Sequence, residues 1–167
     1  MSKLTCAIMA TGSLLAASLA TDTAIAITTG PPTDSSPDCS GAAASQGVIW
    51  PPDHKMWPIT LVGVTDPNGL AVQISVTSIY QDEPVNALGS GNTAPDGTGV
   101  GTSTAYVRAE RSGLGTGRYY YITFTATNSV GLQCTTTVTP YVPHDQGQGF
   151  TPTDTGQQYD STVVPAG

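Results

Sequence analysis

Charge is scarce in this chain. Only 10 % of its 167 residues are Asp, Glu, Lys or Arg, and 12 acidic residues face 5 basic ones, for a net charge of −7. So few cations leave no basic face to neutralise phosphates, which excludes an electrostatic nucleic-acid binder and adsorption to anionic lipid. Two histidines are too few for a His-rich metal site. No acids alternate ahead of a glycine as an EF-hand loop requires. No Gly-x-Ser-x-Gly and no phosphate loop appears. After the first 26 residues no apolar stretch is long enough to anchor the chain in a bilayer, so no membrane insertion is expected once that segment is cleaved.

That segment, 1–26, has the layout of a secretory signal. Lys3 is its basic start, Ala7 to Ala20 its short apolar core, and Ala24-Ile25-Ala26 its cleavage site. The expected location is secreted or at the cell surface, with the periplasm as the other compartment. Removing the signal removes Cys6 and leaves Cys39 and Cys134. An even count in an exported chain implies one disulfide; two free thiols or a metal pair are the other readings. The bond would close a loop of 95 residues, stabilising by roughly 4–5 kcal/mol in the chain-entropy model.

Thr, Ser and Gly dominate what remains, and its periodicity is two. Tyr120, Ile122, Phe124 and Ala126 alternate with Tyr119, Tyr121, Thr123, Thr125 and Thr127, the pattern of a half-buried strand. Cys134, Thr136, Val138 and Val142 continue it in a second strand. A three-residue loop, Ser129-Val130-Gly131, puts Gly131 in the left-handed position such hairpins need. It also sets Ile122 opposite Val138, Phe124 opposite Thr136, and Ala126 opposite Cys134. Further strands are expected at Val48 to Trp50, Met56 to Val64, Ala71 to Tyr80 and Thr104 to Glu110. The Gly-rich stretch from Gln81 to Ser103 has room for a short edge strand. The expected fold is all-β: an antiparallel Greek-key β-sandwich, immunoglobulin-like, of about seven strands. It spans 39–147, after a flexible lead-in (27–38) and before a disordered tail (148–167). In such a sandwich the first strand can run parallel to the last, which would bring Cys39 beside Cys134.

Tracing the strands gathers Asp53, Lys55, Asp82, Glu83, Glu110, Arg111, Arg118 and Asp145 at one pole. The plainer reading is a salt-bridge network that pins loops. The sharper one is a Ca²⁺ site made by Asp82, Glu83, Glu110 and Asp145, since a hard cation takes several carboxylate oxygens; no other cofactor is implied. On the outer face, Tyr119 should lie opposite Tyr141, with Tyr121 two residues on. The three tyrosines either stabilise the sheet or form a platform for sugar rings or a partner's apolar patch.

Several runs resemble a family of immunoglobulin-like domains of secreted bacterial proteins, in the style of hyalin-repeat and PKD-type modules. They are Trp50-Pro51-Pro52-Asp53-His54-Lys55-Met56, Gln81-Asp82-Glu83-Pro84-Val85-Asn86, Arg108-Ala109-Glu110-Arg111-Ser112-Gly113 and Pro143-His144-Asp145-Gln146-Gly147. Where the family carries acidic residues in its Gly-rich loop, this chain has Ser90 and Asn92. The resemblance implies the fold and an extracellular setting, not an activity. The functional expectation is a non-enzymatic extracellular domain for adhesion, binding or spacing, whose partner is a protein or a polysaccharide. A small carbohydrate-binding module using its tyrosines is the alternative, and an unrecognised hydrolase the third.

Overall fold

The computed structural model describes residues 33–86, 88–91, 93–147 and 151–164. The expected signal (1–26), residues 27–32 of the lead-in, Asn92, and residues 148–150 and 165–167 of the expected tail lie outside them. The described residues contain no helix. Their nine strands form two open antiparallel sheets. One holds β1 (Ala43–Ala44), β2 (Met56–Val62), β5 (Thr104–Arg108) and β4 (Gly97–Thr98), in that order. The other holds β7 (Gln133–Val138), β6 (Gly117–Asn128), β3 (Val72–Gln81) and β9 (Tyr159–Asp160). The remaining strand, β8 (Tyr141–Pro143), pairs with the start of β6. Three of the nine are only two residues long, which is why the count exceeds seven.

The all-β reading holds, and so does the register of its central hairpin. Ile122 faces Val138, Phe124 faces Thr136, Ala126 faces Cys134 and Tyr119 faces Tyr141. Gly131 has φ 87°, and its N–H donates to the Asn128 carbonyl at 2.9 Å. The Asn128 side chain fastens this end. Its oxygen accepts from Leu132 N–H at 2.9 Å, and its nitrogen donates to Ser35 O and Asp66 Oδ2 at 2.9 and 3.0 Å. Asp38 and Thr65 exchange backbone bonds nearby, so residues 33–38 of the lead-in, expected to be flexible, are tied to the sandwich.

Inward side chains of the two sheets meet in one core, with Ile59, Leu61, Ala105 and Val107 from the first and Val76, Ile79, Ile122 and Phe124 from the second. Burying each large one contributes roughly 1.5–3 kcal/mol. The cysteines are bonded, with Cα atoms 6.0 Å apart. Of the expected parallel pairing there is one isolated bridge, between Val48 and Tyr141, while β1 pairs antiparallel with β2. The hidden edge strand is β4, lying against β5.

A bulge between Val76 and Ser78 decides what β3 points inward. Strict alternation from Val72, Ile74 and Val76 would turn Ser78 and Tyr80 to the core. The extra residue shifts the parity, so Ile79 and Gln81 are buried instead.

Residues 151–164 correct the expectation of a disordered tail. Gln158 N–H donates to Gln81 O at 3.1 Å, and Ser161 N–H to Ile79 O at 3.0 Å. The Ser161 carbonyl accepts from the amides of Asp96 and Gly97 at 2.9 and 2.8 Å. The segment is thus a seam joining the β3 edge of one sheet to the β4 side of the other. The bonds to β3 and to the β4 side are main-chain ones, and Asp154, Thr155 and the buried Pro152 add side-chain contacts nearer the start of the segment. Gly97 makes the fit possible, because a Cβ there would lie 2.8 Å from Ile79 Cγ2 and 2.9 Å from Ser161 Cβ. Overpacking of this kind costs about 1–3 kcal/mol. Gly97→Ala is therefore expected to speed hydrogen exchange at the amides of Asp96 and Ser161 by roughly 5- to 100-fold and to leave the β6 amides unchanged. Equal exchange in both proteins would mean the seam does not depend on this contact.

Candidate functional site

Arg118 shares the inward parity of Tyr120, Ile122 and Phe124, so its guanidinium is fully buried. A buried cation must be paired and hydrogen-bonded, and three segments supply the anions. Nη1 donates to Asp96 Oδ2 at 2.7 Å, and Nε to Glu83 Oε2 at 3.2 Å. Nη2 lies 3.8 Å from Glu110 Oε1. The Tyr120 ring stands beneath, its centroid 5.9 Å from the guanidinium carbon, within reach of a cation–π contact.

Each anion holds something else as well. Asp96 Oδ2 accepts from Gln81 Nε2 at 2.9 Å, and Oδ1 is 3.4 Å from Arg108 Nε. Arg108 donates onward to His54 O and Pro95 O at 2.9 and 2.7 Å. Glu83 Oε2 accepts from Ser112 N–H at 2.7 Å. Glu110 Oε2 takes the Thr93 hydroxyl and lies 3.0 Å from His54 Nδ1. His54 itself is held at φ 62°, with its N–H donating to Ala109 O at 3.0 Å. The Tyr120 hydroxyl donates to Arg108 O at 2.7 Å.

Burial pushes the Asp96 carboxyl up from its ordinary value, and Arg118 and Gln81 pull it back only in part. Burial works against the charged form of Arg118, but Tyr120, Asp96 and Glu83 more than reverse this, so the guanidinium is raised. Burial raises the Tyr120 phenol, against the pull of Arg118.

The carboxylates expected to share calcium are divided among different partners. Glu83 and Glu110 turn to Arg118. Asp82 accepts from the N–H groups of Tyr119 and Thr155 at 2.9 and 3.4 Å, and burial raises its carboxyl. Asp82 and Glu83 lie in a bend just past β3 and turn to different partners. Asp145 binds the Gly147 N–H at 2.7 Å and lies 3.4 Å from His144 Nδ1; Gly147 first and His144 second hold its carboxyl low. Among the described residues no three His, Cys, Asp or Glu are grouped to hold a metal ion. Asp53 pairs locally with Lys55 at 2.6 Å, and Arg111 donates to His144 O at 2.9 Å.

The tyrosines are divided too. Tyr119 and Tyr141 stack at 5.1 Å between centroids, tilted by 40°. Tyr121, which faces Tyr80 on β3, donates its hydroxyl to Asp154 of the tail segment, so it does not form an open platform with the other two.

Asp96, Gln81 and Arg108 were not legible as members of this pole. Arg118 carried a signal: a cation at an inward strand position requires a buried anion. Asp96 had none, since it sits in a Gly- and Pro-rich stretch without periodicity. No family model, curated protein or solved structure matches this chain.

Removing one partner of a buried pair costs about 3–5 kcal/mol. Arg118→Met should lower unfolding free energy by roughly that amount in urea titrations at neutral pH, and Arg118→Lys by less. The variant's deficit should shrink as pH falls. Without Arg118 the Asp96 carboxyl rises further above its unfolded value, and a carboxyl raised in the fold contributes stability below the unfolded value that is lost as pH rises through the folded one. A deficit that grows on acidification would remove Asp96 from the account.

Proposed function

We propose that this chain is a non-enzymatic extracellular domain of immunoglobulin-like type, used for adhesion, binding or spacing. The observation carrying this reading is that the charged pole is spent on itself. Asp96, Glu83 and Glu110 are engaged by Arg118, Gln81, Ser112, Thr93 and His54, which suits a brace for loops better than acid–base chemistry. The Cys39–Cys134 disulfide is consistent with an oxidising, extracellular setting.

Calcium stabilisation has less support, because Arg118 already supplies positive charge to Glu83 and Glu110. The melting temperature is expected to be the same in millimolar Ca²⁺ and in EDTA. A Ca²⁺-dependent rise abolished by Glu110→Gln would restore the metal reading.

The outer face of the β7–β6–β3 sheet favours a polysaccharide as the partner. Tyr119 and Tyr141 stack there, and beyond them Thr123 meets Thr137 and Thr125 meets Thr135 through hydroxyl bonds of 3.0 and 3.1 Å. Uncharged hydroxyls beside an aromatic pair match the surface of a neutral sugar chain. The test is retention on immobilised cell-wall polysaccharides. Tyr119→Ala combined with Tyr141→Ala should abolish retention while Glu110→Gln, assayed below its melting temperature, keeps it. Loss in Glu110→Gln alone would move the binding site to the pole, and a wild type retained on nothing would leave the spacer or adhesion reading.

A further inference from the structure

Between the turn that follows β3 and the tail strand β9 lies a pocket of about 440 Å³, a volume within the range of small-molecule sites. Its apolar lining is Pro84, Val85, Tyr159 and Val163, and its polar lining Asn86, Gln158 and Asp160. Both walls are fastened. Glu83, next to Pro84, is held by Arg118 at 3.2 Å, and its carbonyl accepts from Gln81 Nε2 at 2.9 Å. Across the pocket, Gln158 N–H donates to Gln81 O and Ser161 N–H to Ile79 O. Walls set in advance lower the cost of ordering a ligand. Tyr159 pairs with Gln81, and Gln81 with Tyr120. Cross-strand partners share a side, so Tyr159 stands away from the outer face that carries Tyr119 and Tyr141.

The polar groups set the chemistry. Asn86 has φ 68°, a left-handed conformation uncommon outside glycine. Among the described residues no hydrogen bond engages its side-chain amide. Gln158 Nε2 is spent on Thr155 O and Oγ1 at 2.8 and 3.1 Å, which leaves Oε1 as an acceptor. Asp160 Oδ1 accepts from the Thr162 N–H and hydroxyl at 2.8 and 2.7 Å, which leaves Oδ2. Among the described residues no cation lines the pocket, so an anion finds nothing to pair with. A single carboxylate is too little for a hard metal ion, which takes several oxygens.

We propose that this pocket binds a neutral pyranose sugar. The C–H face of the ring lies against the apolar lining, with the Tyr159 ring as its aromatic part. A hydroxyl both donates and accepts, which suits the Asn86 amide, a group that also does both. Further hydroxyls give their protons to Gln158 Oε1 and Asp160 Oδ2. A wholly apolar ligand would bury those oxygens without partners, at a cost. An ammonium ligand would satisfy the oxygens but leave the Asn86 donors unused. Asn86 is therefore the residue that selects a polyol over either. The site does not rest on the polysaccharide reading of the outer face, and a sugar could occupy one without the other. An open pocket and so small a ligand give a dissociation constant of roughly millimolar order.

The test follows amide NMR shifts of the full chain during titration with methyl glucopyranoside, methyl mannopyranoside and N-acetylglucosamine, each from about 1 mM to about 100 mM. At least one should saturate, moving the amides of Val85, Asn86, Tyr159 and Asp160 and not those of Tyr119 and Tyr141. Glucuronic acid should bind more weakly, because its carboxylate meets Asp160 with no cation present. Asn86→Gly should raise the dissociation constant at least roughly tenfold without lowering the melting temperature, since glycine takes a positive φ freely. Asn86→Asp, which also tolerates this conformation but has no donor, should weaken binding likewise. Tyr119→Ala combined with Tyr141→Ala should leave these shifts in place, whatever it does to polysaccharide retention, so failure of one site is told apart from failure of the other. Several outcomes would each overturn the proposal: no saturable shift with any of the three sugars, shifts confined to the outer face, or both Asn86 variants binding as the wild type does. Equal binding of cyclohexanol, which has a ring but one hydroxyl, or of choline would overturn it too, by making the site apolar or cation-binding.

Discussion

A guanidinium with no access to water must be met by anions, and Arg118 draws them from three separate stretches of chain. Glu83 follows β3, Asp96 precedes β4, and Glu110 follows β5. Through these carboxylates the requirement spreads. Gln81, Arg108, Ser112, Thr93 and His54 each make a further contact to one of them. Loops from both sheets are thereby held in one arrangement. A buried ion pair adds little net stability against an apolar replacement, but breaking one is expensive. The network is best understood as specifying loop positions, with the apolar core supplying most of the favourable free energy.

The C-terminal segment depends on the same place. Asp96 binds Arg118 through its side chain and the Ser161 carbonyl through its backbone. The buried ion pair therefore positions the amides on which the tail closes. That tail in turn reaches Asp82 and Tyr121, through Thr155 and Asp154. A stretch with the composition of a disordered linker is ordered because the sandwich presents unpaired backbone groups at its edge, and main-chain bonding asks little of side chains.

A division of labour follows between the two ends of β6. Near Arg118 the structure is polar inside and crowded with cross-loop contacts. Near Asn128 it is held by a single amide side chain, a glycine turn and the disulfide. The tyrosine pair belongs to the outer face of the first end.

What could be read from the sequence was what short-range rules govern. Alternation of apolar residues gave β6 its faces. The length of the Asn128–Leu132 turn set the hairpin register, since a one-residue slip would have turned every side chain over. Counting cysteines after the expected signal left one pair to bond. Tracing the strands placed Arg118 at the charged pole, but did not show its burial there or the need for a buried anion. Which anion met it was decided by tertiary structure, because Asp96 is 22 residues away in sequence, and no local preference encodes a contact across a loop. The bulge after Val76 was equally hidden. It turned Gln81 inward toward Asp96 and left Tyr80 outside, and its position depends on how β3 and β6 pair rather than on the residues of β3 alone. The ordering of residues 151–164 came from the same source: a polar segment folds where a sheet edge offers partners, and that edge exists only once the two sheets have packed.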